Sequence, residues 1–97
     1  MTNFTTRVEL HDAKTWQDYD NLHKNMAAEG FSRSITQNGV SYELPTAEYA
    51  ITSNLTILQI TTKAKSAANK TGKSSSVLTS QTVLWHWDNL KATRQAA

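Results

Sequence analysis

An α+β fold, with one antiparallel sheet carrying two helices on a single face, is predicted by three features of this 97-residue chain. Two stretches of helical periodicity each end at a glycine, Gly30 and Gly72. Segments of two-residue alternation lie before, between and after them. The segments between the helices hold Asn38-Gly39, a strong hairpin signal because both residues accept positive φ. The resulting order is strand, helix, hairpin plus strand, helix, strand. That is a βαββαβ sandwich of the ferredoxin-like kind with an Asn-Gly hairpin in its β2 region.

The first strand alternates Phe4, Thr6, Val8 and Leu10 with Thr5, Arg7, Glu9 and His11, so one set enters the core and the other lines the opposite face. The first helix is expected to start at Asp12 or Thr15, either of which can cap. Its docking stripe is Trp16, Tyr19, Leu22, His23, Met26 and Ala27. His23 sits on the edge of that stripe and reads as a packed histidine. Phe31–Thr36 and Val40–Leu44 form the hairpin arms, and Pro45 ends the second. Ala47, Tyr49 and Ile51 then face the helices, leaving Glu48 and Thr52 on the open face. The second helix opens at Ser53 or Asn54, with Leu55, Ile57, Leu58, Thr61, Ala64, Ala67 and Ala68 inward. After a Ser74–Ser76 lead-in, Val77–Thr79 is a strand. Gln81–Trp87 either continues it or folds back, with Val83, Trp85 and Trp87 on one side. Residues 1–97 make a single domain, and residues 91–97 read as a frayed tail.

With no cysteine in the chain, disulfide-linked partners and thiolate chemistry are excluded. No apolar run approaches the roughly 20 residues of a membrane span, and Met1-Thr2-Asn3-Phe4 lacks a basic leader. The reading is a soluble cytoplasmic protein, homodimer or monomer, with no membrane partner. Phosphate-cradling glycine loops, zinc spacings and nucleophile elbows are missing from the sequence, so nucleotide-dependent and zinc catalysis are not expected and no cofactor or metal-site residue is assigned.

Net charge is +2, but residues 1–48 hold four Lys/Arg against seven Asp/Glu, whereas residues 49–97 hold six against one. Lys63, Lys65, Lys70 and Lys73 follow one another with no acid between them, and with Arg33 they are candidate phosphate contacts for RNA. Lysines near a helix end also complement its dipole without any partner. Tyr42, Tyr49, Trp85 and Trp87 are candidates to stack bases, or else core and dimer contacts.

The row Arg7, Glu9, His11 carries the candidate chemistry. Metal-free RNA cleavage needs a base for the 2′-hydroxyl, an acid for the leaving oxygen and a cation for the developing charge, and these residue types supply all three. With metal, cleavage needs a carboxylate at the end of the first strand, where Asp12 sits and where a dimer would bring in its twin; Asp12 serves equally as a helix cap, and Arg7 with Glu9 makes an ordinary strand ion pair.

The run Gly30-Phe31-Ser32, Ile35, Gly39, Leu44 and Tyr49-Ala50-Ile51-Thr52-Ser53 resembles the GhoS-type antitoxins of type V toxin–antitoxin systems. The resemblance covers residues 30–55 and continues elsewhere as element order. It implies a ferredoxin-like domain and endoribonuclease cleavage of a toxin messenger RNA. Where that family carries arginines in the first helix, this chain has Asn21, His23 and Lys24. Two functions are therefore expected. One is an RNA-acting antitoxin-like endoribonuclease using Arg7, Glu9, His11 and Asp12. The alternative is a non-catalytic homodimeric interaction module, in which Thr5, Arg7, Glu9, His11, Glu48 and the Trp85/Trp87 segment meet across a two-fold axis.

Overall fold

The middle strand of one of two sheets is β1 (Thr2–Leu10) in the computed structural model, which describes residues 1–95. Phe4, Thr6, Val8 and Leu10 are buried, and Arg7 and Glu9 are exposed, as the alternation predicts. On one side lies β4 (Glu48–Ser53), antiparallel, with Thr6 opposite Tyr49 and Phe4 opposite Ile51. On the other lies β5 (Ser75–Gln81), also antiparallel, with Thr6 opposite Thr79 and Val8 opposite Val77. The helices α1 (Trp16–Ala28) and α2 (Ile57–Asn69) supply Leu22, Met26, Ile60, Ala64, Ala67 and Ala68 to the core that the even residues of β1 line.

A single sheet is not what forms. The strands β2 (Ser34–Gln37) and β3 (Val40–Glu43) pair with β6 (Ala92–Gln95) in a second antiparallel sheet of order β2-β3-β6. Its hairpin turns at Asn38 (φ 53°) and Gly39 (φ 77°), the double positive φ that the sequence signals. One bridge joins the sheets: Ser32 and Ala50 exchange two backbone hydrogen bonds of 2.8 Å. The pairing stops there because the Ser32 hydroxyl, 3.1 Å from both the Ser34 N–H and the Ser34 carbonyl, bends the chain away from β4. The expected frayed tail is also corrected. Residues 92–95 lie against β3, held at their start by Glu43 N–H donating to the Lys91 carbonyl at 2.8 Å. Residues 96–97 of that tail lie outside the described residues.

Helix boundaries follow local hydrogen bonding. Thr15, not Asp12, precedes α1, and the Asp18 carboxylate accepts from the N–H groups of Lys14 (2.9 Å) and Thr15 (3.3 Å). At the far end the Gly30 N–H donates to Ala27 and the Phe31 N–H to Met26, a Schellman closure that requires Gly30 at φ 95°. Trp16, expected on the docking stripe, is 76% exposed at the first helical position, and Ala27 is exposed too. The second helix starts beyond Ser53 and Asn54, at Thr56, because Thr56 and Gln59 cap each other reciprocally (2.9 and 3.2 Å). That register puts Ile60, Ala64, Ala67 and Ala68 inward at i, i+4, i+7 and i+8. Leu58 then falls on the opposite side and is 73% exposed, and Leu55 and Ile57 are exposed as well. The alanines bring the helices close enough for Asn25 Nδ2 to donate to the Ala67 carbonyl at 3.2 Å.

Thr6 is fully buried in this apolar layer, where an unpaired hydroxyl costs roughly 1–3 kcal/mol. Its Oγ1 lies 3.2 Å from Thr79 Oγ1, which lies 2.9 Å from Thr61 Oγ1, itself 2.9 Å from the Ile57 carbonyl. Thr61 has one proton, which it gives to Thr79 or to the Ile57 carbonyl, and in the Thr6–Thr79 pair either hydroxyl can donate. Thr79 is thus the partner that satisfies the buried Thr6 hydroxyl. Replacing Thr79 by Val leaves that hydroxyl without its partner and is expected to cost about 1–3 kcal/mol in urea unfolding. Replacing Thr6 by Val removes the buried hydroxyl together with its need for a partner and is expected to cost less; the reverse order would contradict this pairing.

Candidate functional site

The odd residues of β1 form the face turned away from the helices, where Arg7 is flanked by Glu48 and Leu78, and Glu9 by Ser76. Arg7, Glu9 and His11 are all exposed, and Glu48 is half-buried beside them. His11 lies 3.9 Å from Glu9 through Nε2. The same nitrogen is 2.9 Å from Ser76 Oγ, and Nδ1 is 3.3 Å from Ser74 Oγ. The backbone joins in, with His11 N–H donating to the Ser74 carbonyl at 2.8 Å. The imidazole is thus positioned through both ring nitrogens. Its serine partners were not foreseen from sequence, although the alternation of Ser74 and Ser76 at the start of the last core strand is the signal that would find them.

Asp12 stands apart from this row. It occupies an exposed left-handed turn at φ 60° between β1 and α1 and does not cap the helix. Among the described residues no cluster of three His, Cys, Asp or Glu side chains forms a metal site.

The five candidate phosphate contacts are engaged elsewhere or separated. Lys63 and Lys70 share Glu29 at 3.3 and 3.9 Å, and Arg33 pairs with Glu43 at 3.7 Å across the β2–β3 hairpin. Lys65 Nζ donates to the Ser75 carbonyl (2.7 Å) and hydroxyl (2.9 Å), fastening α2 to β5. Lys73 follows Gly72 in the loop after α2, where its charge acts on Asp18. The N–H groups of Lys14 and Thr15 that it accepts, aided by this charge, keep the Asp18 carboxyl below its ordinary range.

The aromatic candidates divide as well. Tyr49 is fully buried and cannot stack a base. The segment after β5 neither extends the strand nor forms another. Thr82 bonds to β1 through its N–H to Asn3 (2.8 Å) and its hydroxyl to Thr5 (2.7 Å), and the chain then turns toward the hairpin. Trp85 lines a depression together with Asn3, Ile35, Ala50 and Thr52, and Trp87 packs on Tyr42 with ring centroids 4.9 Å apart. The tryptophans thus lie on the β4 side of the open face, where Glu48 shares a depression with both, and on the β5 side Arg7, Glu9, Ser76 and Leu78 are exposed.

His23 has a structural role. Its Nδ1 meets the Tyr49 hydroxyl at 2.5 Å, and its ring sits between Tyr19 and Tyr49. Burial, reinforced by the positive charge of Arg33, lowers its pKa, whereas Asp20 opposes this. Burial raises that of Tyr49, so the phenol stays protonated and donates to the neutral imidazole.

No family model, no curated protein and no solved structure matches the chain.

Because His23 binds its proton less readily folded than unfolded, its contribution to stability is full above the ordinary histidine pKa and is lost as pH falls below it. The melting temperature is therefore expected to drop between about pH 7 and about pH 5, with a shallower drop in His23→Gln. Equal slopes in thermal melts of the two proteins would contradict this assignment.

Proposed function

We propose that the chain is a ferredoxin-like domain whose second strand is bent off the sheet edge, and that it acts on RNA in the cytoplasm as an antitoxin-like endoribonuclease. The fold part is supported by the order β4-β1-β5, antiparallel throughout, with Ser32 continuing it beyond β4 through one bridge. The activity rests on the resemblance over residues 30–55 and on one observation. His11 is exposed, held through both ring nitrogens, and placed beside Glu9 on the same uncovered face as Arg7. In this reading the 2′-hydroxyl displaces the serine hydroxyl from the unprotonated ring nitrogen of His11, and the imidazole accepts its proton as the oxygen attacks phosphorus. Arg7 offsets the charge that gathers on the phosphoryl oxygens. The P–O5′ bond breaks, its oxygen takes a proton from solvent, and a cyclic phosphate remains. Glu9 orients the imidazole. Asp12, one residue beyond the row, has no part in these steps.

A second reading, a non-catalytic homodimeric module, is favoured by the lysines. Lys63, Lys65 and Lys70 are turned to Glu29 and Ser75, and Arg33 to Glu43, which leaves less free positive charge for a phosphate backbone.

The two readings separate on incubation of the protein and its His11→Ala variant with mixed cellular RNA, with and without magnesium, followed by mapping of new ends. The endoribonuclease reading expects discrete cuts that fall by about 100-fold or more in the variant. Cuts no more frequent than the variant's background would leave the interaction module as the function.

A further inference from the structure

Among the described residues no strand lies beside the outer edge of β5. Which of its backbone groups face outward follows from antiparallel parity. Thr82 N–H donates to Asn3 and His11 N–H to Ser74, so the even residues of this stretch exchange their bonds with β1. Ser75, Val77, Thr79 and Gln81 therefore turn their N–H and C=O groups away from it. The Ser75 carbonyl, accepting from Lys65 Nζ, is such an outward group. For Val77, Thr79 and Gln81 no outward backbone partner is present among the described residues.

Protein edges of this kind are normally blunted by a charge, a proline or a bulge. β5 reads SSVLTSQ, without charge or proline, and its middle residue, Leu78, is 68% exposed on the uncovered half of the polar face. We propose that this edge pairs antiparallel with the same edge of a second copy about a two-fold axis through Leu78, making one continuous sheet. The proposal rests on the second reading above and names the surface it would use.

Parity and side chains both fit that axis. It sets Val77 opposite the partner's Thr79 and Thr79 opposite the partner's Val77, so outward groups meet outward groups. It makes Leu78 opposite the partner's Leu78 a pair without hydrogen bonds, where Cα atoms approach to about 4.5 Å and side chains touch most closely. Each leucine then leaves water against the other and over the depression formed by Arg7, Glu9 and Ser76. Ser76 meets the partner's Ser80, and no like charges are brought together. The two copies of Arg7 stand three strand spacings apart, about 14 Å, farther than the ~8 Å Debye length. Lys65 occupies the carbonyl and hydroxyl of Ser75 at the end of the edge, and the bonds at Val77 and Thr79 do not involve it.

The absence of cysteine in the chain makes the axis directly testable. Single variants Leu78→Cys, Ser76→Cys and Ser80→Cys are oxidised gently, and mass in solution is measured in parallel for the unaltered protein. Only a residue on the axis meets its own copy within disulfide reach, so Leu78→Cys is expected to cross-link roughly tenfold faster than either control. The unaltered protein is expected to be a dimer, and Leu78→Lys, which sets two charges face to face, a folded monomer. A dimer whose Leu78→Cys variant cross-links no faster than the controls overturns the edge while leaving the second reading intact. A monomer at every concentration overturns both.

Discussion

Everything in this fold depends on β1 being paired on both sides. A strand in the middle of a sheet has its backbone groups satisfied by two neighbours, so its side chains alone decide what each face does. The even residues turn inward and meet α1 and α2; the odd residues form a surface that no helix covers. Thr6 shows how tightly this is specified. Its hydroxyl is tolerated in the apolar layer because it pairs with Thr79, which Thr61 in turn joins to α2. A register slip of one residue would bury Arg7 and Glu9 and expose Phe4 and Val8.

The second sheet is secondary to this arrangement. It meets the first through the Ser32–Ala50 bridge and through side chains such as Trp85, which lies between β4 and the hairpin. Its consequence for the site is indirect. By drawing the Trp85–Trp87 segment toward β4 and Tyr42, it leaves the β5 half of the polar face and the β5 edge uncovered. The exposure of the Arg7–Glu9–His11 row and the unpaired edge are thus two results of one asymmetry.

Much of this was legible in the sequence where a local signal is complete within a few residues. The alternation of β1, the Asn38-Gly39 turn and the stop at Gly30 need no distant partner, and all three are found. The order of elements and the polar row followed from them. What was misread depended on competition or distance. Two candidate caps preceded α1, and hydrogen bonding to Asp18 chose Thr15; the Thr56–Gln59 pair was overlooked in favour of Ser53 and Asn54, which turned Leu58 the wrong way. The fastening of Lys65 to Ser75, the sharing of Glu29 by Lys63 and Lys70, and the pairing of β6 with β3 join residues that no periodicity connects. A run of lysines looks like one free patch in the sequence, whereas in the fold Lys63 and Lys70 turn to Glu29 and Lys65 to Ser75.

The central claim is that β1 carries the cooperative core and the β2-β3-β6 sheet is attached to it, and residue-resolved amide hydrogen exchange tests it most directly. The slowest amides should be those of β1 from Phe4 to Leu10, exchanging only on global unfolding, with the amides of β2, β3 and β6 released earlier by local opening. Equal protection in the two sheets, or faster exchange in β1 than in β3, would contradict it.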